Sequence, residues 1–236
     1  MRAFLRDHGS QEQFGTVHPS NTLAAAQRAV QAPKLAAKRA RIIDAALRHF
    51  AEHGYHAARI EDLSAQLGVA KGSIFQYFGS KGGLFVEAYK KAVSSFPAYL
   101  DCPSQIREKG FFGTLRYWLL RTERLVREDW IPYRVALLGN YGVDLALKRE
   151  INRFLLAEDP YGSTAFVRLG VSRGEVRSDV DPALIVSILD WTMERFQDAL
   201  LTEELDPGLF PHPADPDKNQ ARINQFLLVL RGAIGR

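Results

Sequence analysis

Between Lys34 and Phe96 the apolar residues recur three and four positions apart in short runs, and most of the runs close on a glycine. In "KLAAKRARIIDAALRHFAEHG", Ile43, Ala46, Leu47 and Phe50 share one helical face before Gly54 stops the helix. "IEDLSAQLG" places Ile60, Leu63 and Leu67 together and ends on Gly68. In "VAKGSIFQYF", Ile74 and Phe78 stand four apart; Ser80 can then cap a fourth helix whose Leu84, Phe85, Ala88 and Ala92 face inward. Nothing reads as a strand. This punctuation predicts an all-α fold of short helices and tight turns at the N-terminal end.

Downstream, the helices lengthen. "FFGTLRYWLLRTERLVRE" and "DLALKREINRFLLAE" are amphipathic, and Asp181-Pro182 reads as an N-cap followed by a proline in the first helical position. The helix that follows, "ALIVSILDWTMERFQDALL", is apolar around most of its circumference, more than packing on one side requires. A proline-rich loop is expected over 202–216, then a last helix with Ile223, Phe226, Leu227, Leu230 and Ile234 in one stripe. Two such helices suggest a subunit interface, for which Ile188, Trp191, Ile223, Phe226, Leu227 and Leu230 are the candidates. The expected organisation is a flexible arm over 1–33 turning helical from Asn21, a helix-turn-helix module over 34–91, and a helical effector-binding and dimerisation domain over 92–236.

With 46% hydrophobic and 25% charged residues, the 236-residue chain can bury a core. Its single cysteine, Cys102, excludes an internal disulfide and any zinc site needing two thiolates. The first residues lack the apolar centre of a signal peptide and no apolar run is long enough for a membrane, so a cytoplasmic protein is expected. Charge is unevenly spread. Residues 34–91 hold ten Lys/Arg against five Asp/Glu, whereas 92–236 hold eighteen against twenty. A basic module joined to a mildly acidic one suits a nucleic-acid binder.

The stretch "GVAKGSIFQYFGSKGGLF", residues 68–85, has five glycines, four aromatic residues, two lysines and no acid. A helix, a glycine turn and a second helix opening with short residues make a helix-turn-helix, with recognition starting near Lys71 and running through Phe78. Gly72 and Ser73 let the backbone approach a major-groove edge, and the helix amides favour phosphate. Gln76 can pair with an adenine edge, and Ser73 with several bases. Tyr77 offers a hydroxyl to phosphate and a ring to a thymine methyl; Lys71 and Lys81 supply point charges. Lys38, Arg39 and Arg41 can reach the minor groove or backbone, or equally form a solvated helix end. Phe78 is read as core.

"IEDLSAQLGVAKGSIFQYFGSKGGLF" resembles the DNA-binding signature of the TetR/AcrR family of bacterial regulators, and "IIDAALRHFAEHGYHAARI" is similar to that family's first helix. The resemblance spans residues 38–92; beyond it, "RGEVRSDVDP" resembles the segment that precedes the family's dimer helices. It implies a homodimer reading a palindromic operator in double-stranded DNA, with a C-terminal pocket whose small-molecule ligand weakens DNA binding. Ala58 and Arg59 stand where the family often has a capping Thr/Ser pair, and Ala70 where it often has a serine. Each lost cap is worth ~1 kcal/mol of helix stability. Arg59 can restore a phosphate contact by charge. Gly82 and Gly83 replace good helix formers in the fourth helix.

Two motifs point elsewhere and lack their context. His49-Phe50-Ala51-Glu52-His53 spells an inverted zinc-protease pattern, but on the last turn of a helix stopping at Gly54, where histidines serve the free carbonyls. Gly170-Val171-Ser172-Arg173-Gly174 spells a nucleophile elbow without the strand that elbow needs. No catalytic residue, metal or cofactor is expected. Trp118, Trp130, Tyr133, Tyr141, Phe154, Phe166 and Trp191 can line an apolar effector cavity or simply pack as core. Asp190, Glu194 and Asp198 form a ladder on one face of an apolar helix; the ladder can attract a cation or face water, and water is the expectation. The function expected is a ligand-responsive dimeric transcriptional regulator, a repressor. The alternative is a helical ligand-binding or scaffold protein with a weakened DNA module.

Overall fold

The computed structural model describes residues 19–96, 101–202 and 216–236. The chain divides into two compact units, residues 1–41 and 42–236. Helix α1 spans Pro19–Ala57, with Pro33 inside it, so residues 19–33 of the expected arm are helical; residues 1–18 lie outside the described residues. The expected stop at Gly54 appears as a break in helical geometry (φ 75°, ψ 166°) that glycine takes without a Cβ clash.

In the second unit α2 (Ile60–Leu67), α3 (Lys71–Phe78) and α4 (Lys81–Ser95) follow the sequence pattern. After them come α5 (Ser104–Arg107), α6 (Gly110–Glu128), α7 (Trp130–Tyr141), α8 (Leu145–Glu158) and α9 (Ser163–Ser172). Last are α10 (Pro182–Leu201) and α11 (Pro216–Ile234). Among the described residues there is no strand, only one antiparallel bridge between Val176 and Gly235. No described helix is long and apolar enough to cross a membrane. The loop expected over 202–216 lies mostly outside the described residues.

Caps set several boundaries. Ser80 Oγ accepts from the Gly83 amide at 3.0 Å and starts α4. Asp181 accepts from the Ala183 amide at 2.9 Å, with Pro182 opening α10. Neither α2 nor α3 has a side-chain cap, as Arg59 and Ala70 foretold. Glu61 and Asp62 in the first turn of α2 offset part of that loss through the helix dipole.

Two apolar cores fill the second unit. The first joins Ile42, Ala46 and Phe50 of α1, Leu63 of α2, Ile74 and Phe78 of α3, and Leu84, Phe85 and Tyr89 of α4. It continues without a gap into Val135 of α7 and Ile151 of α8. Phe50, wholly buried, meets Phe85 edge-on at 5.1 Å; burying such a ring contributes about 2–3 kcal/mol. The second core packs Phe111 and Leu115 of α6, Val167 of α9, Ile185, Leu189 and Phe196 of α10, and Ile223, Leu227 and Leu230 of α11.

That second core corrects the expected interface on α11. Ile223, Leu227 and Leu230 are buried within their own subunit, and half-buried Phe226 stacks on Phe196 with centroids 3.9 Å apart. The stripe is the helix's inward face. Leu228 and Val229, at 71% and 72% exposure, form the outward one.

Candidate functional site

The turn between α2 and α3 is closed by Gly68, left-handed at φ 64°, whose amide reaches the Ala65 and Ser64 carbonyls. Ile74 and Phe78 face the first core and leave Lys71, Gly72 and Gln76 exposed, with Ser73 and Tyr77 half-buried. A Cβ added at Gly72 would meet nothing within 4 Å. No neighbour in the chain therefore requires that glycine, although glycine in a helix costs ~1 kcal/mol against alanine. Gly83 differs: a Cβ there would fall 2.1 Å from the Phe78 carbonyl oxygen. The end of α3 presses on the first turn of α4, which explains the glycine where a helix former was expected.

Charges around α3 are engaged but accessible. Lys71 Nζ pairs with Glu61 Oε1 at 2.5 Å, both side chains about half exposed. Lys81 Nζ donates to the His56 carbonyl at 3.0 Å and lies 5.0 Å from the Tyr55 ring centroid, fixing the entry of α4 against the end of α1. Burial pulls the Lys81 pKa below the usual lysine value. Arg59 is exposed immediately before α2. Lys38 and Arg39 belong to the first unit, on α1.

The two tempting motifs are structural. His49 is buried, and its Nε2 donates to the Arg59 carbonyl at 3.1 Å, while His53 Nδ1 donates to the His49 carbonyl at 3.0 Å. Desolvation, then the neighbouring His53, lowers the His49 pKa. Ser172 Oγ donates to the Leu169 carbonyl at 2.8 Å at the end of α9. No group of three metal-ligating side chains gathers among the described residues.

A cavity of about 160 Å³ lies among α6, α7, α9 and α10. Of the seven aromatic residues expected there, Trp118, Tyr133 and Phe166 line it. Trp130, Tyr141 and Trp191 are exposed outside the lining, and Phe154 packs against the first core. Sequence reasoning missed Tyr161, Phe96 and Asn140 as wall residues, and it faced the carboxylate ladder the wrong way. Asp190, Glu194 and Asp198 all line the cavity. Their spacing was visible; which side of an all-round apolar helix they occupied was not.

The ladder is held tightly. Tyr133 donates its hydroxyl to Asp198 Oδ1 at 2.9 Å, whereas Oδ2 is buried with no hydrogen-bond partner. Asn140 Nδ2 reaches Glu194 Oε2 at 3.4 Å. Burial first, then Asp190 and Asp198, pushes Glu194 up to about 7, with Lys148 opposing. Burial also raises Asp190, opposed by the Ser163 hydroxyl, and Asp198, opposed by the Tyr133 and Tyr141 hydroxyls and Arg195.

A helix-turn-helix carried on a helical body with an internal cavity defines a DNA-binding regulator. Residues 42–88 match the profile of the bacterial regulatory proteins of the tetR family. The HTH-type transcriptional repressor SCO4008 of Streptomyces coelicolor is 42% identical over 165 residues, covering 66% of this chain and 79% of that protein. The fatty acid metabolism regulator protein of Bacillus subtilis is 35% identical over 156 residues, covering 65% and 78%. Among solved structures, FadR from Bacillus subtilis in complex with stearoyl-CoA superposes with TM-score 0.58 at 23% identity, covering 80% of this chain and 95% of that one. The chain belongs to the TetR family of transcriptional regulators.

Proposed function

We propose that the protein is a homodimeric repressor that reads a palindromic operator through α3 and is released by a small molecule bound in the cavity. The observation that carries this reading is Gly72, a helical glycine that faces open space beside exposed Gln76 and half-buried Ser73 on an acid-free helix. A backbone kept bare there suits close approach to a groove edge, with Gln76 and Ser73 as base readers. Lys71, Tyr77, Lys81 and Arg59 serve the phosphates. Lys38 and Arg39, in the first unit, are separate basic candidates for phosphate contact. Relatives named as repressors support the direction of control.

In this mechanism α7 couples the two sites, because it has a face in each. Tyr133, Leu137 and Asn140 line the cavity. On its other side Val135 enters the DNA module's core, and Gly139 lies so close to Tyr89 of α4 that an added Cβ would fall 2.5 Å from the ring. A ligand that prefers another placement of α7 shifts α4 and with it α3; the ligand works only through that differential affinity. For dimerisation, Leu184, Ile188 and Trp191 share one face of α10, with Leu184 and Trp191 exposed, and Leu228 and Val229 present the open face of α11.

Nuclease footprinting on the DNA upstream of the protein's own gene tests the reading. The expected result is a protected inverted repeat with half-sites about 34 Å, or a multiple of that, apart. A single unrepeated footprint, or protection that ignores sequence, would overturn it.

A further inference from the structure

The cavity's chemistry selects one charge. Asp190, Glu194 and Asp198 project from successive turns of α10 into it, while among the described residues its wall has Arg121 as the one cation. Other charged groups act on the ladder: Lys148 on Glu194, Arg195 on Asp198 and Asp159 on Asp190. Lys148 Nζ is engaged with the Asn140 carbonyl at 3.1 Å. Asp198 is 5% exposed, and its Oδ2 has no hydrogen-bond partner. A buried carboxylate oxygen without a donor costs free energy that a bound donor would recover. The same cavity is lined by Trp118 and Phe166, whose ring centroids lie 4.7 Å apart. Rings and carboxylates lining one cavity suit an organic cation, held by charge at one end and by aromatic contact along its body. The volume of about 160 Å³ is that of a single-ring molecule.

We propose that the effector is a small organic cation, a one-ring or short-chain amine, whose ammonium sits between Glu194 and Asp198 and whose apolar body lies on Trp118 and Phe166. This rests on the repressor reading above and specifies its ligand. It also separates this chain from the stearoyl-CoA-bound neighbour, because the phosphates of a coenzyme A thioester would confront three carboxylates. Since Glu194 titrates near 7, cation binding expels its proton, and affinity falls as the solution is acidified.

The test uses the full chain and a matched probe set: phenethylamine, the neutral phenethyl alcohol, the anionic phenylacetate, and stearoyl-CoA. Calorimetric titration in two buffers of different ionisation enthalpy reads affinity and proton release together. The proposal expects phenethylamine to bind with proton release, at least about tenfold more tightly than the alcohol, and phenylacetate not to bind. It expects Glu194→Gln and Asp198→Asn each to weaken the amine by about tenfold or more without creating affinity for the anion. Tighter binding of phenylacetate or stearoyl-CoA, amine affinity unchanged in both variants, or no binding of phenethylamine overturns it. Operator binding by the ligand-free protein, measured alongside, keeps the two readings apart: if it survives while the amine fails, only the ligand assignment falls.

Discussion

Gly72 and Gly83 lie eleven positions apart and do opposite things. Gly72→Ala fills open space on a helix, so the fold should gain up to ~1 kcal/mol while operator affinity drops, as thermal melting and DNA titration of one preparation would show. A loss of stability, or unchanged DNA binding, would contradict that account. Gly83→Ala drives a methyl into the Phe78 carbonyl and should cost about 1–3 kcal/mol, read as a lowered denaturant midpoint. The sequence reads Gly72 as a site of close approach and Gly83 as a lost helix former, and only three-dimensional neighbours show that one faces open space and the other a packed carbonyl. For the same reason Phe78 was legible as core, because four-residue spacing to Ile74 fixes its face. The engagement of Lys71 with Glu61 was not, since it joins two helices across a turn.

At the scale of elements, α2, α3 and α4 could be read almost residue by residue, because each has one buried face, with a glycine stop closing α2 and α3 and a serine cap opening α4. Helix α7 was not singled out: Pro132 and Gly139 interrupt its pattern, and burial on more than one side erases its polar stripe. On α10 the periodicity was equally flattened, which hid the inward turn of the ladder. That turn has a thermodynamic consequence. Glu194 has its folded pKa raised from 4.5 to about 7, so its contribution to stability is greatest below 4.5 and is lost as pH rises through about 7. Glu194→Gln should therefore raise the melting temperature most near pH 8, by up to about 3 kcal/mol in stability, and the gain should shrink towards pH 4.5. A gain independent of pH would show that the carboxyl is not desolvated.

For the whole molecule, a pair of apolar faces left exposed among the described residues on α10 and α11 is the feature to explain. The sequence announced surplus apolar surface but chose the inward stripe of α11, because alternate faces of an apolar helix look alike until its neighbours are known. If the outward faces meet a second copy, Trp191→Glu combined with Val229→Glu should yield a folded monomer by sedimentation, with unchanged helical circular dichroism and much weaker operator binding. A double variant that still sediments as a dimer would move the interface elsewhere. The central claim remains that α3 reads DNA. Fluorescence anisotropy of the protein on its own upstream intergenic DNA against scrambled DNA, across a salt series, tests it most directly. The account predicts preferential binding that weakens steeply with salt and collapses for Tyr77→Ala or Lys81→Ala. Equal affinity for both DNAs, with no loss in either variant, would contradict it.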